Sequence, residues 1–197
     1  MLVRKLRLRE DDAMRVLIIG GTGTISSKAA AAFEELGDEV ITVGRSTEVS
    51  VDLEDPASIT EMFNKVGRVD AVVTTMGSAP FVSIEDATAD DFQAGISSKM
   101  LAQLNAVTYC LPYLNDGGSI TVTTGILTQH PIPGSLIATA ANAGVEGFVR
   151  AAVSSLPRGI RINAVSPTML EEDREAFGPS FVGFKPVPGT EVAQGYV

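Results

Sequence analysis

With 197 residues, 45% of them apolar, the chain is long enough to bury a core and reads as a single domain over residues 14–197. Its formal charge of −9 disfavours attraction to nucleic acid or to an anionic membrane, which leaves a small-molecule substrate as the expected partner. One cysteine, Cys110, and one histidine exclude an intramolecular disulfide and make a poor metal-ligand set, so no metal is predicted.

The opening MLVRKLRLREDDA alternates Leu2, Leu6 and Leu8 with basic residues before Glu10, Asp11 and Asp12. It lacks the continuous apolar segment of a signal peptide, and no apolar run reaches the roughly 18 residues that a bilayer span needs. Residues 1–13 are therefore read as a disordered extension, and the protein as cytoplasmic with no membrane partner. From Arg15 onward, short β-branched runs alternate with amphipathic segments, the pattern of an α/β protein. Strands are predicted at 16–19, 39–43, 71–75, 119–123 and 161–165, with a shorter one at 48–51. Helices are predicted at 26–36, 57–65, 90–114 and 136–156, with Pro56 just inside the start of the second. Most of the strands are apolar on both faces, as buried parallel strands must be. The expected architecture is a doubly wound parallel sheet of Rossmann type with helices on both faces, and ligands belong at the carboxyl ends of its strands.

The first strand runs into GGTGTIS. Gly20 and Gly23 are spaced as the first two glycines of a dinucleotide loop, and Ser26 stands where the third usually does. Following a strand and opening a helix, this loop offers the amides of Gly20, Thr22, Gly23, Thr24 and Ile25 to a pyrophosphate. After the second strand the chain has Gly44, Arg45 and Ser46 in place of an acidic residue. A guanidinium and a hydroxyl suit a 2′-phosphate, which favours NADP over NAD; the alternative is a solvated surface arginine. In VDLEDP, Asp52 is placed to accept from an adenine amino group with Leu53 packed on the ring, or else to cap a helix. In TTMGSAP, Thr75, Met76 and Gly77 border the cofactor, Gly77 letting the backbone pass close to it; a tight turn without a ligand is the competing account.

In this order, these pieces resemble the short-chain dehydrogenase/reductase family over residues 14–168, with a weaker echo to 192. The family's glycine loop matches 20–26, its Asn-Asn-Ala-Gly turn matches 74–77, and its Asn-x-Val-x-Pro-Gly segment matches NAVSPT at 163–168. The last match adds Pro167 and Thr168 to the implied cofactor contacts. Aligning the run after the family's Tyr-x-x-x-Lys pair with AGVEG at 143–147 puts Asn142 at the lysine position and Ala138 at the tyrosine position. The family serine falls on Gly125, just after Thr123 and Thr124. SSKMLA puts Lys99 where an active-site asparagine lies, so its ammonium is expected to point toward the nicotinamide pocket and partly replace the charge lost at Asn142. The alternative is a surface lysine with its stem along a helix contact.

His130, in the HPIPG loop, should border the same pocket or simply be exposed. The resemblance implies an NADP-binding oxidoreductase acting on a small carbonyl or alcohol, with Thr124 orienting the carbonyl and Lys99 or His130 supplying the proton. The alternative is a catalytically inactive nucleotide-binding module, serving as a redox-cofactor sensor or structural partner. EEDREAFGPSFVGF resembles the family's mobile substrate-covering segment. The family's seventh strand would follow beyond VPGTEVAQGYV, so the resemblance implies a sheet without its final strand, either through truncation or with the edge completed by another subunit. Relatives pair through the helices matching 90–114 and 136–156, so a homodimer or homotetramer is expected.

Overall fold

The computed structural model describes residues 13–197, so apart from Ala13 the extension predicted at 1–13 lies outside the described residues. Five strands, β1 (Arg15–Ile19), β2 (Glu39–Val43), β3 (Val69–Thr74), β4 (Leu114–Thr123) and β5 (Arg161–Val165), form one parallel sheet in the order β2-β1-β3-β4-β5. This is the doubly wound order expected from the alternation of strands and helices. The chain leaves β1 toward β2 and then crosses back to β3, creating a switch point between the ends of β1 and β3. Register places Ile19 beside Val43 on one side and beside Thr74 on the other, so the carboxyl ends of β1, β2 and β3 finish level.

Period-2 alternation divides the core into two layers. Leu17 and Ile19 of β1, with Val72, Ile120 and Val122, pack beneath α2 (Pro56–Val66), α4 (Ala102–Cys110) and α5 (Leu136–Ala152), where Phe63, Ala106 and Val145 meet them. Val16 and Ile18 face the opposite way, with Ala71 and Val73, toward α1 (Thr24–Glu35) and α7 (Gly189–Ala193). Each fully buried side chain of this size contributes about 1.5–3 kcal/mol, so the β1 sequence RVLII ties both layers together. Caps define where the helices begin. Asp55 accepts from Ala57 N ahead of Pro56, and Thr88 and Asp91 form a reciprocal capping box at the start of α3 (Ala89–Gly95).

Three predicted elements change. The strand expected at 48–51 is reduced to a single bridge between Gly44 and Ser50. The Thr47 hydroxyl takes the Gly44 N–H at 2.7 Å and donates to Val49 O at 2.7 Å, so a side chain replaces the ladder. The helix predicted over 90–114 is α3, then a π-helical turn at Ile96–Leu101, then α4, then a 3₁₀ turn at Leu111–Tyr113 containing Pro112. The chain re-enters the sheet at Leu114, so β4 begins there and not at Ser119. Interlocking surrounds the π turn: a Cβ on Gly95 would overlap Ile137, and one on Gly144 would overlap Met100. The third change is α5, which ends at Ala152, short of the predicted 156. A short α6 (Arg174–Phe177) lies between β5 and α7. No helix of the described residues is long and apolar enough to cross a membrane.

Candidate functional site

A cleft of about 470 Å³ opens at the switch point, above the ends of β1, β2 and β3. Gly20, Thr22, Gly23, Arg45, Ser46, Asp52, Leu53, Met76 and Gly77 of the predicted cofactor set line it. Backbone proximity shapes its floor. Gly20 N and Gly21 N both donate to Val43 O, at 3.0 and 2.8 Å, drawing the glycine loop over the end of β2. A Cβ on Gly44 would stand 2.6 Å from Gly21 Cα, and one on Gly20 would overlap the Thr75 side chain, so no other residue fits at either position without displacement. Gly23 precedes α1 and no side chain caps that helix. Its first amides, beginning at Thr24 and Ile25, thus form the positive end of a helix dipole beside the cleft. Ser26, in the third-glycine position, is fully buried and donates its hydroxyl to Gly21 O at 2.7 Å, closing the loop on itself.

Arg45 and Ser46 are exposed at the rim, and Arg45 makes no ion pair among the described residues. Asp52 Oδ1 accepts from Glu54 N at 2.9 Å, and the cap of α2 is Asp55, so the helix-cap reading of Asp52 is corrected. Leu53 is buried against the core beneath the cleft, and its carbonyl accepts from Asn105 Nδ2 at 2.8 Å. Gly77 has φ +109°, and a Cβ there would lie 2.7 Å from Lys99 Cα. The close approach that selects glycine is therefore with the π turn of this chain itself.

A second group of predicted residues lies outside this cleft, at the ends of β3, β4 and β5. Thr75 N bonds Ile19 O at 2.8 Å, Thr124 N bonds Val165 O at 2.9 Å, and Ile126 N bonds Pro167 O at 2.9 Å. These bonds fix the backbone, while the hydroxyls of Thr75, Thr124 and Thr168 are buried without a partner among the described residues. The residues aligned with the family's tyrosine and lysine, Ala138 and Asn142, are both buried on the sheet-facing side of α5. Asn142 Nδ2 would stand 3.2 Å from a Cβ on Gly125, so the residues at the lysine and serine positions touch.

Lys99 is half-buried on the π turn with no bonded partner for its ammonium among the described residues, and burial holds its pKa below the ordinary lysine value. His130 is exposed, its ring 6.3 Å edge-on from Phe184, which meets Phe181 at 5.5 Å. The histidine thus borders the segment likened to a substrate cover.

Two positioning residues escaped the sequence reading. Gln103 is fully buried and uses its whole amide: Oε1 accepts from Thr74 Oγ1 and Thr123 N, and Nε2 donates to Lys99 O and Thr123 O, at 2.7–2.9 Å. Its spacing of four from Lys99, on one helical face, is the only signal the sequence carried. Tyr196 hydrogen-bonds Thr123 Oγ1 at 2.7 Å, and Thr123 Oγ1 donates to Thr74 O at 2.6 Å, tying the segment after α7 to the ends of β3 and β4.

Residues 17–185 match the family model described as enoyl-(acyl carrier protein) reductase. The chain belongs to the short-chain dehydrogenase/reductase family of oxidoreductases. It is similar to the structure of the protein lin1944 from Listeria innocua, at 43% identity and a TM-score of 0.90 over 93% of this chain and 92% of that one. A small-chain dehydrogenase in complex with NADPH matches at 25% identity and a TM-score of 0.83, covering 94% and 90% of the two chains. Among curated proteins, hydroxynaphthalene reductase arp2 of Aspergillus fumigatus is 23% identical over 85% of this chain. Glucose and ribitol dehydrogenase homolog 2 of Arabidopsis thaliana is 28% identical over 71%. The chain spans only 61% and 52% of those two relatives.

Proposed function

We propose that the protein binds NADP and moves hydride between it and a small carbonyl or alcohol through a proton relay that departs from the family's tyrosine and lysine. The observation that carries this reading is the glycine-floored cleft at an uncapped helix N-terminus, with an unpaired arginine at its rim. The amides of Gly20 and Gly23 are spent on Val43 O and Gly20 O, contrary to the expectation that they face a pyrophosphate, so the uncapped first amides of α1 at Thr24 and Ile25 are the ones left to accommodate it. Arg45 and Ser46 would hold a 2′-phosphate, Asp52 and Leu53 the adenine, and Thr75, Met76, Gly77, Pro167 and Thr168 the nicotinamide end. The structural relative solved with NADPH supports the same cofactor. A bound nicotinamide supplies the hydride chemistry.

The chain's own residues orient the substrate and move its proton. Thr124, whose hydroxyl has no internal partner, orients the carbonyl oxygen by donating to it. Lys99 or His130 delivers the proton to that oxygen during reduction and removes it during oxidation; the lowered pKa of Lys99 suits a group that gives up a proton. The reading extends to a single cytoplasmic domain that assembles as a homodimer or homotetramer through the α3–α4 segment and α5, with Leu101 of the π turn and Val153 just beyond α5 exposed. Sedimentation tests the assembly.

The cofactor reading is tested by titrating NADPH and NADH by fluorescence and then following oxidation of the bound reduced form against a panel of carbonyls. Tighter binding of NADPH with oxidation by at least one carbonyl is expected. Binding without oxidation would leave a non-catalytic nucleotide-binding module, and absence of binding would remove both.

A further inference from the structure

The start of the segment that joins β2 to α2 is held by one side chain. Gly44 N donates to Thr47 Oγ1 at 2.7 Å, and Thr47 Oγ1 donates to Val49 O at 2.7 Å, a shorter path for its single proton than Gly44 O at 3.1 Å. Both directions follow from the partners, because a backbone N–H only donates and a carbonyl oxygen only accepts. The hydroxyl therefore ties Gly44 to Val49 across the loop tip.

Both roots of that tip are anchored. At one, Val43 O accepts from Gly20 N and Gly21 N, and Gly44 lies against the Gly21 backbone. At the other, Val51 N donates to Gly44 O at 3.1 Å, Val51 is buried, and Val49 packs on the same core. Between the anchors lie Arg45, Ser46, Thr47 and Glu48, and only Thr47 among them is not exposed.

Arg45 stands in acidic surroundings. Asp52 and Glu54 line the same cleft and Glu48 belongs to the same tip, in a chain of net charge −9, yet among the described residues Arg45 pairs with none of them. A guanidinium free to swing samples such carboxylates, and each contact must be broken before another anion is taken. A tip tied down from within removes that cost.

Resting on the cofactor reading above, we infer that Thr47 is a positioning residue: its hydroxyl fixes the 44–49 tip so that Arg45 stays clear of Glu48, Asp52 and Glu54 and meets a 2′-phosphate without rearrangement. Thr47 touches no cofactor atom in this assignment. It acts through Arg45, and what it supplies is preorganisation.

The test titrates NADPH and NADH by fluorescence into the wild type, into Thr47→Val, which keeps the shape without the hydroxyl, and into Thr47→Ser, which keeps the hydroxyl. Thr47→Val is expected to bind NADPH about five- to tenfold more weakly, the range of one or two lost hydrogen bonds, with NADH within about twofold. Thr47→Ser should stay within about twofold of the wild type for both. In an Arg45→Ala background, adding Thr47→Val should change NADPH affinity by less than about twofold, because the residue it acts through is gone. Thermal melting of each variant shows that folded proteins are compared, and Thr47→Ala replaces Thr47→Val if the latter does not fold. An unchanged NADPH-to-NADH ratio in Thr47→Val, whether from no loss or from equal loss, would overturn the inference and leave the cofactor reading standing. So would a Thr47→Ser variant as impaired as Thr47→Val, or an undiminished effect of Thr47→Val in the absence of Arg45. A wild type that binds NADH as tightly as NADPH would overturn the inference together with the NADP reading beneath it, and one that binds neither would remove the cofactor altogether.

Discussion

The two ends of the candidate site are built on different principles. At the ends of β1 and β2 the surface is main chain: Gly20, Gly21 and Gly44 lie against one another, and the nearby hydroxyls of Ser26 and Thr47 are turned inward onto carbonyls. At the ends of β4 and β5 the amides of Thr124 and Ile126 are tied to Val165 O and Pro167 O, while Thr124 Oγ1, Asn142 Oδ1 and Thr168 Oγ1 have no partner among the described residues. The first end presents uncapped main-chain amides at the start of α1, and the second presents unpaired side-chain atoms. Rigid amide geometry suits a group as invariant as a diphosphate, whereas unpaired side chains let substrate choice vary without disturbing the fold.

The contrast breaks first at Lys99. Lys99→Met is expected to cut turnover by about 10²-fold or more if its ammonium carries the proton, and unchanged turnover would move that role to His130. The same variant has a signature independent of activity. Because burial lowers the folded-state pKa of Lys99, the unfolded chain binds more protons between that value and the ordinary one. The destabilisation is therefore full below the depressed pKa and vanishes as pH rises through about 10.4. Lys99→Met should raise Tm at pH 7, with the gain shrinking toward pH ~10; a fall in Tm at neutral pH would mean that the ammonium is paired.

Next in size is Arg45→Asp, expected to weaken NADPH by roughly 10–100-fold while changing NADH much less, the range of a lost charge-assisted contact. Equal effects on both would make Arg45 a bystander. Gly44→Ala presses a methyl on the Gly21 backbone. It should cost about 1–3 kcal/mol of stability and close to tenfold in NADPH affinity, without altering preference between the two cofactors. A neutral result by chemical denaturation and fluorescence titration would show the cleft floor to be soft.

The smallest effect is at Tyr196, whose phenol burial pushes to a pKa of about 12. Tyr196→Phe should cost about 1 kcal/mol, ~2–4 °C in Tm, by removing its bond to Thr123. The wild type should lose stability from pH 10 to 12 relative to the variant, since the unfolded phenol ionises first; parallel curves would show that bond to be idle.

Residues 15–19 and 20–26 show what the order of residues was able to say unaided. An uninterrupted apolar strand such as RVLII has few solutions other than a position buried on both faces, and a glycine loop after it follows from local backbone needs. The parallel α/β class and the cleft's lining residues Gly20, Thr22, Gly23, Arg45, Ser46, Asp52, Leu53, Met76 and Gly77 come from such short-range rules, while the strand order that makes the switch point is set by the tertiary fold. Packing between distant segments settled the rest. It turned one predicted helix into α3, a π turn and α4 beside Gly77 and α5, replaced a short strand with bonds from Thr47, and brought Asn142 onto Gly125. Whether a buried hydroxyl or amide finds a partner depends on neighbours tens of residues away, and no local pattern of residues records that.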